Sequence, residues 1–298
     1  MGMGGCSRTA YGQAALWRRL ASTAAMLSLL AGAAPLHAAE PAGASTSDEA
    51  KADARRSVPL AKIDPAYRQA VRDVLDDPSL FRRLPTNIVD CHPDLFTFLA
   101  QNPEVLVEIW RHLGVSQVRL TRIDERTFDI ADGAGTTGKL VVVEQTCEPD
   151  AQNRIVMFAQ GSYDGKPFQK PVSADCVLVL TSGSMRETNG RRYVASRLDT
   201  FVKLDRMSLE LVAKAVHPFV GQTADRNFAD TLSFVSNFSY TAENRPEAIE
   251  QIAVEAKDLD QTRRTQLIKL AYECETAGKQ WKLSRGQTSS ASPDAKTR

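Results

Sequence analysis

The sequence lacks the residue spacings that usually mark metal sites and catalytic centres. It contains 4 histidines and 5 cysteines among 298 residues. None of them occurs as HxxxH, HxH or CxxC, the spacings typical of zinc sites. Since no catalytic motif stands out either, the sequence predicts neither a metal nor a cofactor, and it favours a binding protein over an enzyme.

A strong charge of either sign is also missing. The chain has 37 basic and 36 acidic residues, which gives a formal net charge of +1. The first 39 residues hold three arginines and no acid, so a chain without them has a formal charge of about −2. A weakly acidic domain has no electrostatic attraction for nucleic acid, and we expect no nucleic-acid partner.

No apolar run is long enough to be a convincing transmembrane helix. Arginines at 18–19 precede an apolar run over residues 20–36, which Gly32 and Pro35 interrupt, and small residues follow at 38–39. This order is typical of a secretory signal peptide. It predicts cleavage after residue 38 or 39, export to the periplasm or the extracellular space, and no transmembrane anchor after cleavage. An uncleaved anchor is the alternative.

Few cysteines remain after such a cleavage, but their number is even. In an oxidising compartment four cysteines permit two disulfides in any of three pairings. The spacing does not select a pairing, and a domain of this size also accommodates buried thiols. The four residues are Cys91, Cys147, Cys176 and Cys274.

The region from Ser116 to Leu204 predicts one antiparallel sheet. Apolar and β-branched runs alternate there with clusters of glycine, proline, asparagine and aspartate, which are turn signals. Six strands are predicted, over residues 117–124, 126–132, 139–145, 153–163, 175–183 and 191–204.

Helical patterns flank this region on both sides. Before it, a helix begins at Asp64 and Pro65, which suit the N-cap and the first helical position. An edge strand over 86–91 and two short helices, 93–99 and 103–113, follow.

Three helical tracts are predicted after the sheet, over residues 205–216, 223–242 and 246–276. The second carries an apolar stripe with helical spacing, formed by Phe228, Leu232, Val235 and Phe238. Segments without periodicity are predicted to be disordered. The predicted organisation is a signal peptide (1–39), a disordered leader (40–60), an α+β domain (61–245), a C-terminal helix (246–276) and a disordered tail (277–298).

This order of elements resembles the helix-grip fold of the START and polyketide-cyclase-like (SRPBCC) superfamily. The resemblance spans residues 86–242 and rests on the strand 87–90, the helix 103–113, and the helix 223–242 that follows the last strand. It implies an α+β fold in which a curved antiparallel sheet of six to seven strands is covered by a long C-terminal helix. It also implies a cavity that often holds an apolar ligand. No residue motif matches, so no site residue is carried over.

The best candidate site lies on the last predicted strand. Strand alternation places Tyr193, Arg197, Asp199 and Phe201 on one face. The two charges are either a solvated cross-strand pair or polar groups in a cavity shared with the two aromatic rings. Phe228 of the closing helix is the fifth predicted ligand-binding residue.

Two other patterns suit a structural role better than a chemical one. The pattern Gly133-x-Gly135-x-x-Gly138-Lys139 resembles a phosphate loop, but it lies between two predicted strands, which favours a hairpin turn. Cys91 and His92 pair a nucleophile with a base, but adjacent strand residues point to opposite faces. If the protein were an enzyme, its acid–base groups would come from Asp129, Glu144, Arg197 or Asp199.

The sequence therefore predicts an exported, non-catalytic binding protein. Its ligand is expected to be a lipid or another hydrophobic or amphipathic small molecule, held between the sheet and the long helix. The alternative is a cell-envelope structural or protein-interaction module that acts through the helix 246–276.

Overall fold

The structure, a computed structural model, describes residues 44–148, 152–166, 168, 170–205, 207–208 and 220–290. The predicted signal peptide and most of the predicted helix 205–216 lie outside these ranges. The elements are α1 (Asp48–Ser57), a 3-10 turn (Leu60–Lys62), α2 (Pro65–Asp76), β1 (Leu80–Arg83), β2 (Asn87–Val89), α3 (Pro93–Gln101), α4 (Pro103–His112), β3 (Arg119–Arg122), β4 (Thr127–Ala131), β5 (Thr136–Thr146), β6 (Gln152–Tyr163), β7 (Val172–Arg186), β8 (Arg192–Leu204), α5 (Val220–Asn244), α6 (Pro246–Glu255) and α7 (Gln261–Ser290).

The strands form one open antiparallel sheet of eight strands in the order β1-β8-β7-β6-β5-β4-β3. Strands β1 and β2 pair with the same edge of β8: β1 lies opposite residues 199–202, and β2 lies opposite residues 194–196. The predicted α+β class, the antiparallel sheet and the covering C-terminal helix are confirmed. Strand β1, which no pattern predicted, raises the number of strands above the expected six to seven.

The glycine-rich segment is a hairpin turn between β4 and β5. Gly133 and Gly135 have positive φ angles of 71° and 118°, which side chains other than glycine rarely tolerate. The Oδ1 atom of Asp132 accepts hydrogen bonds from the backbone nitrogens of Ala134 (2.7 Å) and Thr136 (2.8 Å). No helix follows the turn, so its backbone amides do not form a phosphate site at a helix N-terminus.

Rows of paired residues distinguish the two faces of the sheet. We call face A the side that carries Val141, Phe158, Val177 and Phe201, and face B the side that carries Val142, Met157, Leu178 and Thr200. Helices α1 and α2 cover much of face A with a buried apolar cluster. The remaining helices lie on the side of face B.

Helix α1 occupies the segment that the composition predicted to be a disordered leader. Ser47 caps it by accepting a hydrogen bond from the backbone nitrogen of Ala50 at 3.2 Å. Its buried residues are two alanines, Ala50 and Ala54. Because these small side chains hardly raise the hydrophobicity of the segment, the pattern does not reveal a helix.

Helix α5 packs against the sheet near its β1–β2 edge. Its buried residues Leu232, Val235 and Phe238 share one apolar cluster with Val89 of β2 and Val194 of β8. Near its beginning, the carboxylate of Asp225 accepts a hydrogen bond from the Nε of Arg82 at 2.7 Å. Near its end, the hydroxyl of Ser239 accepts one from the backbone nitrogen of His92 at 3.0 Å.

The predicted helix 246–276 consists of two helices, α6 and α7. The guanidinium of Arg264 donates to the carbonyl oxygens of Ala253 (2.8 Å), Ala256 (3.1 Å) and Leu259 (3.0 Å), and so holds the connection between them. Helix α7 continues to Ser290, where a disordered tail was expected. Among the described residues, no helix is both long and apolar enough to span a bilayer.

We expect Asp64→Ala to lower the free energy of unfolding by about 1 kcal/mol. The side chain of Asp64 caps α2 by accepting a hydrogen bond from the backbone nitrogen of Ala66 at 2.9 Å, and alanine leaves that amide without its partner. Urea denaturation of both forms measures the difference. Asp73→Ala, at an exposed position within the same helix, is the control, and an equal loss in both variants would contradict the capping role.

Candidate functional site

The predicted charged pair lies on face A, beneath helix α1. Asp199 is 0% exposed, and its carboxylate accepts hydrogen bonds from the Nε (2.6 Å) and Nη2 (3.1 Å) of Arg83. Arg83 also donates to Asp53 of α1 at 2.9 Å, and the Nη2 of Arg197 lies 3.5 Å from Asp199. The pair is therefore part of a buried ion-pair network that joins the sheet to α1.

Hydrogen bonds shift the pKa values of Arg83 and Asp53 in opposite directions. The pKa of Arg83 is raised, chiefly by its hydrogen bond to Asp199. The pKa of Asp53 is lowered, chiefly by its hydrogen bond to Arg83. A carboxyl group whose pKa is lowered by folding stabilises the folded state at pH values above its ordinary pKa. That stabilisation is lost as the pH falls through the lowered pKa. The contact between Asp53 and Arg83 therefore weakens in acid.

The aromatic candidates are divided between the two sides of the sheet. Phe201 is buried on face A, where its ring centroid lies 4.9 Å from that of Phe81. Tyr193 lies on the same face, half-buried and opposite Met185 of β7. Phe228 packs with the helical cluster on the other side. The five predicted residues therefore do not line one cavity, because the sheet separates Phe228 from the other four.

The adjacent pair Cys91 and His92 has no activated nucleophile. Cys91 is 1% exposed, and burial raises the pKa of its thiol to about 12. Burial also lowers the pKa of His92. At neutral pH the thiol is thus protonated, and nucleophilic chemistry needs the thiolate. Within the part of the chain that the structure describes, no cluster of three metal-ligating side chains occurs.

The carboxylates proposed for acid–base chemistry are not together. Glu144 is buried and accepts hydrogen bonds from the Nε (3.1 Å) and Nη2 (3.3 Å) of Arg154. It shares a cross-strand row with Asp199, but three strand spacings, about 14 Å, separate them. Asp129 is exposed on β4. These groups form separate surface or ion-pair sites.

The centre of face B is incompletely covered by the described helices. Met157, Leu180 and Leu198 lie there and are only half-buried, although most of their apolar neighbours on this face are buried. The apolar cluster of the sheet centre and the cluster of the facing helices are separate. Among the described residues, Ala100 of α3 packs against both. We call the space over these three side chains the central gap.

A cleft of about 690 Å³ lies on one side of helix α3, between α3, β5 and α7. Its apolar lining includes Phe98, Val142 and Leu270. Val142 is directly opposite Met157 in the sheet, and paired strands lie about 5 Å apart. We call it the wide cleft; through Val142 its wall adjoins Met157, one of the three residues of the central gap.

A second cleft, of about 430 Å³, lies between α3 and the ends of β7 and β8. It is lined by Phe96, Val194 and Ser182, among others. Ser182 follows Leu180 by two residues on the same side of β7, a distance of about 7 Å. We call it the narrow cleft. Gln101 lines both clefts, so α3 lies between them.

The rim of the wide cleft carries three hydrogen-bonding side chains that have no partner among the described residues. Arg126, Gln145 and Gln266 line it, and within the described ranges the structure assigns their side chains no hydrogen bond or ion pair. Apolar side chains beside unused polar ones suit a ligand with one apolar and one polar part.

Sequence reasoning did not single out the residues of the central gap. Alternation along β8 correctly places Leu198 on the same face as Val194 and Val202. How closely a helix approaches that face is not encoded in the strand itself. It depends on where α5 and α7 hold α3, which the strand pattern does not show.

We expect Cys147 to react with a maleimide far faster than the other three described cysteines in the reduced protein. Cys147 is half-buried and lines the narrow cleft, whereas burial raises the pKa of Cys91 and Cys176 to about 12. The rate difference should exceed roughly 100-fold, since both thiolate fraction and access decide reactivity. Mass spectrometry of timed samples measures it, and Cys147→Ser is the control. Similar rates at Cys91 would contradict the packing.

A scan against protein-family models gives no match for this sequence, and a search of curated proteins gives none. The antiparallel sheet with C-terminal helices is compatible with a helix-grip arrangement.

Proposed function

We propose that the protein is a non-catalytic binding protein that holds an amphipathic small molecule in the central gap. The observation that carries this proposal is the partial exposure of three apolar side chains, Met157, Leu180 and Leu198, in the middle of a mostly buried face. A ligand that covers partly exposed apolar side chains removes their surface from water, and this favours binding.

The two clefts support an amphipathic ligand over a purely hydrocarbon one. Their volumes of about 690 and 430 Å³ lie in the usual range for small-molecule sites, roughly 300–1,000 Å³. An apolar part of the ligand would cover the central gap. A polar part would meet Arg126, Gln145 and Gln266 at the rim of the wide cleft.

We further propose a superfamily and a location for the protein. The helix-grip resemblance supports membership of the START and polyketide-cyclase-like superfamily, in which a sheet and a helix enclose a ligand. The signal-peptide pattern at 18–39 supports export to the periplasm or the extracellular space.

A binding role fits the side chains better than catalysis does. Glu144 and Asp199 are engaged in ion pairs with arginines, and the thiol of Cys91 is protonated at neutral pH. None of these groups is positioned with a second acid or base at the central gap. The proposal therefore assigns the cavity to recognition.

The alternative, a protein-interaction module that acts through the helix 246–276, is less well supported. Several apolar residues of α6, α7 and their connection, among them Ile249, Leu259 and Leu267, are buried in the protein's own core, although Val254, Tyr272 and Leu283 are exposed. This burial supports a structural role for the helix pair over a partner-binding one.

Filling the central gap tests the proposal. We expect Leu198→Trp to weaken binding of N-phenyl-1-naphthylamine, a fluorescent apolar amine, by at least about tenfold, which corresponds to roughly 1.4 kcal/mol. Met185→Trp is the matched control, because Met185 is 44% exposed and lies on face A of the adjacent strand. We expect that variant to bind within about twofold of the natural protein. Thermal unfolding verifies that both variants are folded. Equal binding by the two variants, or no binding by the natural protein, would refute the proposal.

A further inference from the structure

Two of the four described cysteines are neighbours. Cys91 precedes α3 and Cys274 lies in α7; both are buried, belong to the same apolar cluster, and line the same cavity of about 430 Å³. Burial raises the pKa of Cys274, and the nearby Cys91 raises it further. Both cysteines are thiols in the structure.

The sheet register excludes the other partners of Cys91. Cys91 lies two residues after Val89, which is opposite Val194 of β8. Val194 is in turn opposite Ser184 of β7. Cys176 is eight residues from Ser184 on that strand, about 26 Å. A disulfide needs Cα atoms about 4.4–6.8 Å apart.

Cys147 is excluded by its position across the sheet. It follows Thr146 of β5, which is level with Arg154, Thr181 and Arg197 on the next three strands. Four strand spacings, on the order of 19 Å, separate β5 from β2, and Cys91 lies beyond β2. Cys176 is five residues from Thr181, about 17 Å, so Cys147 and Cys176 do not pair with each other either.

We infer that Cys91 and Cys274 form a disulfide when the chain folds in an oxidising compartment, while Cys147 and Cys176 remain thiols. The oxidant is an external disulfide, either a protein dithiol catalyst in its oxidised form or oxidised glutathione. The thiolate of one cysteine attacks a sulfur of that disulfide, forms a mixed disulfide and releases one thiolate. The thiolate of the second cysteine then displaces the remaining external sulfur. The cysteine pair loses two electrons and two protons, and the oxidant is reduced to two thiols.

Because both cysteines are buried in the folded protein, the bond has to form during folding. Cys91 is 1% and Cys274 is 3% exposed, so neither is open to an external disulfide in the folded protein. The exchange therefore takes place before α7 has packed against α3. Once formed, the bond ties the beginning of α3 to α7, and the same burial protects it from reduction.

Peptide mapping of the natural chain tests the pairing. The full chain is unfolded in urea with reductant, refolded in a buffer of reduced and oxidised glutathione, alkylated after denaturation and digested with trypsin without reduction. We expect one linked pair, peptide 84–111 joined to peptide 270–279, and alkylated Cys147 and Cys176. Alkylated Cys91 and Cys274, or either of them linked to another cysteine, would overturn the inference.

Thermal unfolding gives an independent reading. Dithiothreitol present during unfolding should lower the melting temperature of the refolded protein by roughly 5–15 °C, as expected for loss of a disulfide in a domain of this size. The double variant Cys91→Ser/Cys274→Ser should show no such shift, and Cys147→Ser should keep it. An equal shift in the double variant would contradict the assigned pair, whereas the peptide map stays decisive if that variant does not fold.

Discussion

Asp199→Ala lowers the free energy of unfolding by about 3–5 kcal/mol, the usual cost of removing one partner from a buried ion pair. Asp199 is fully buried and accepts two hydrogen bonds from Arg83. Alanine leaves the Arg83 guanidinium, whose side chain is only 15% exposed, with Asp53 as its remaining carboxylate. Urea denaturation at neutral pH measures the loss, and coincident fluorescence and circular dichroism transitions show that unfolding stays two-state.

Asp53→Ala is the matched control for that experiment. Asp53 contacts the same guanidinium, but its side chain is 50% exposed, so we expect a loss below about 1 kcal/mol. Replacing both members of the central pair, in Arg83→Met/Asp199→Leu, should recover much of the lost stability, because no unpaired charge remains buried. A loss at Asp199 no larger than that at Asp53 would mean that the pair is solvated, as on an open sheet face.

Ending the chain at Arg245 abolishes cooperative folding. This truncation removes α6 and α7 and with them the buried side chains of Ile249, Leu259 and Leu267. Loss of one buried leucine or isoleucine side chain typically costs about 2–5 kcal/mol, so losing three costs about as much as the usual total stability of about 5–15 kcal/mol. The truncation also exposes their apolar contacts on α5. Circular dichroism during heating should show no sharp transition.

A chain that ends at Ser290 is the control for the truncation, since it retains all of α7. We expect its melting temperature to lie within about 2 °C of the full chain, the shift produced by less than 1 kcal/mol. A cooperative transition in the shorter chain would show that α6 and α7 are not part of the core. That result would return the protein-interaction hypothesis to consideration.

The sheet is the part of the fold that the sequence shows best. Its turns contain residues with specific backbone requirements, such as Gly133 and Gly135 with positive φ angles. Strand β1 is different, because it carries two arginines in four residues. Their charges are paired by Asp225 and Asp199, which are far away in the sequence. Local composition therefore conceals this strand.

The far end of α7 is concealed for a similar reason. Residues beyond Ala277 look like a polar tail, yet the indole of Trp281 donates a hydrogen bond to the carbonyl oxygen of Asn189 at 3.0 Å. The guanidinium of Arg191 also lies 4.7 Å from the centroid of that indole. These contacts hold the helix against the β7–β8 hairpin. They join segments about ninety residues apart, so no local pattern reports them.

The candidate site was only partly predictable. Alternation along β8 correctly groups Arg197 with Asp199 and Leu198 with Val194. It does not reveal that α1 covers the first group, or that the described helices leave Leu198 half-buried. Both facts depend on helix positions that are set by tertiary packing.

Native mass spectrometry of the protein, isolated from its natural host without detergent or organic solvent, tests the ligand proposal most directly. We predict a second species heavier by the mass of one small molecule, which disappears after extraction with organic solvent and is absent from Leu198→Trp. Met185→Trp should retain it. The bare protein mass alone, in a preparation that also fails to bind N-phenyl-1-naphthylamine, would contradict a ligand in the central gap.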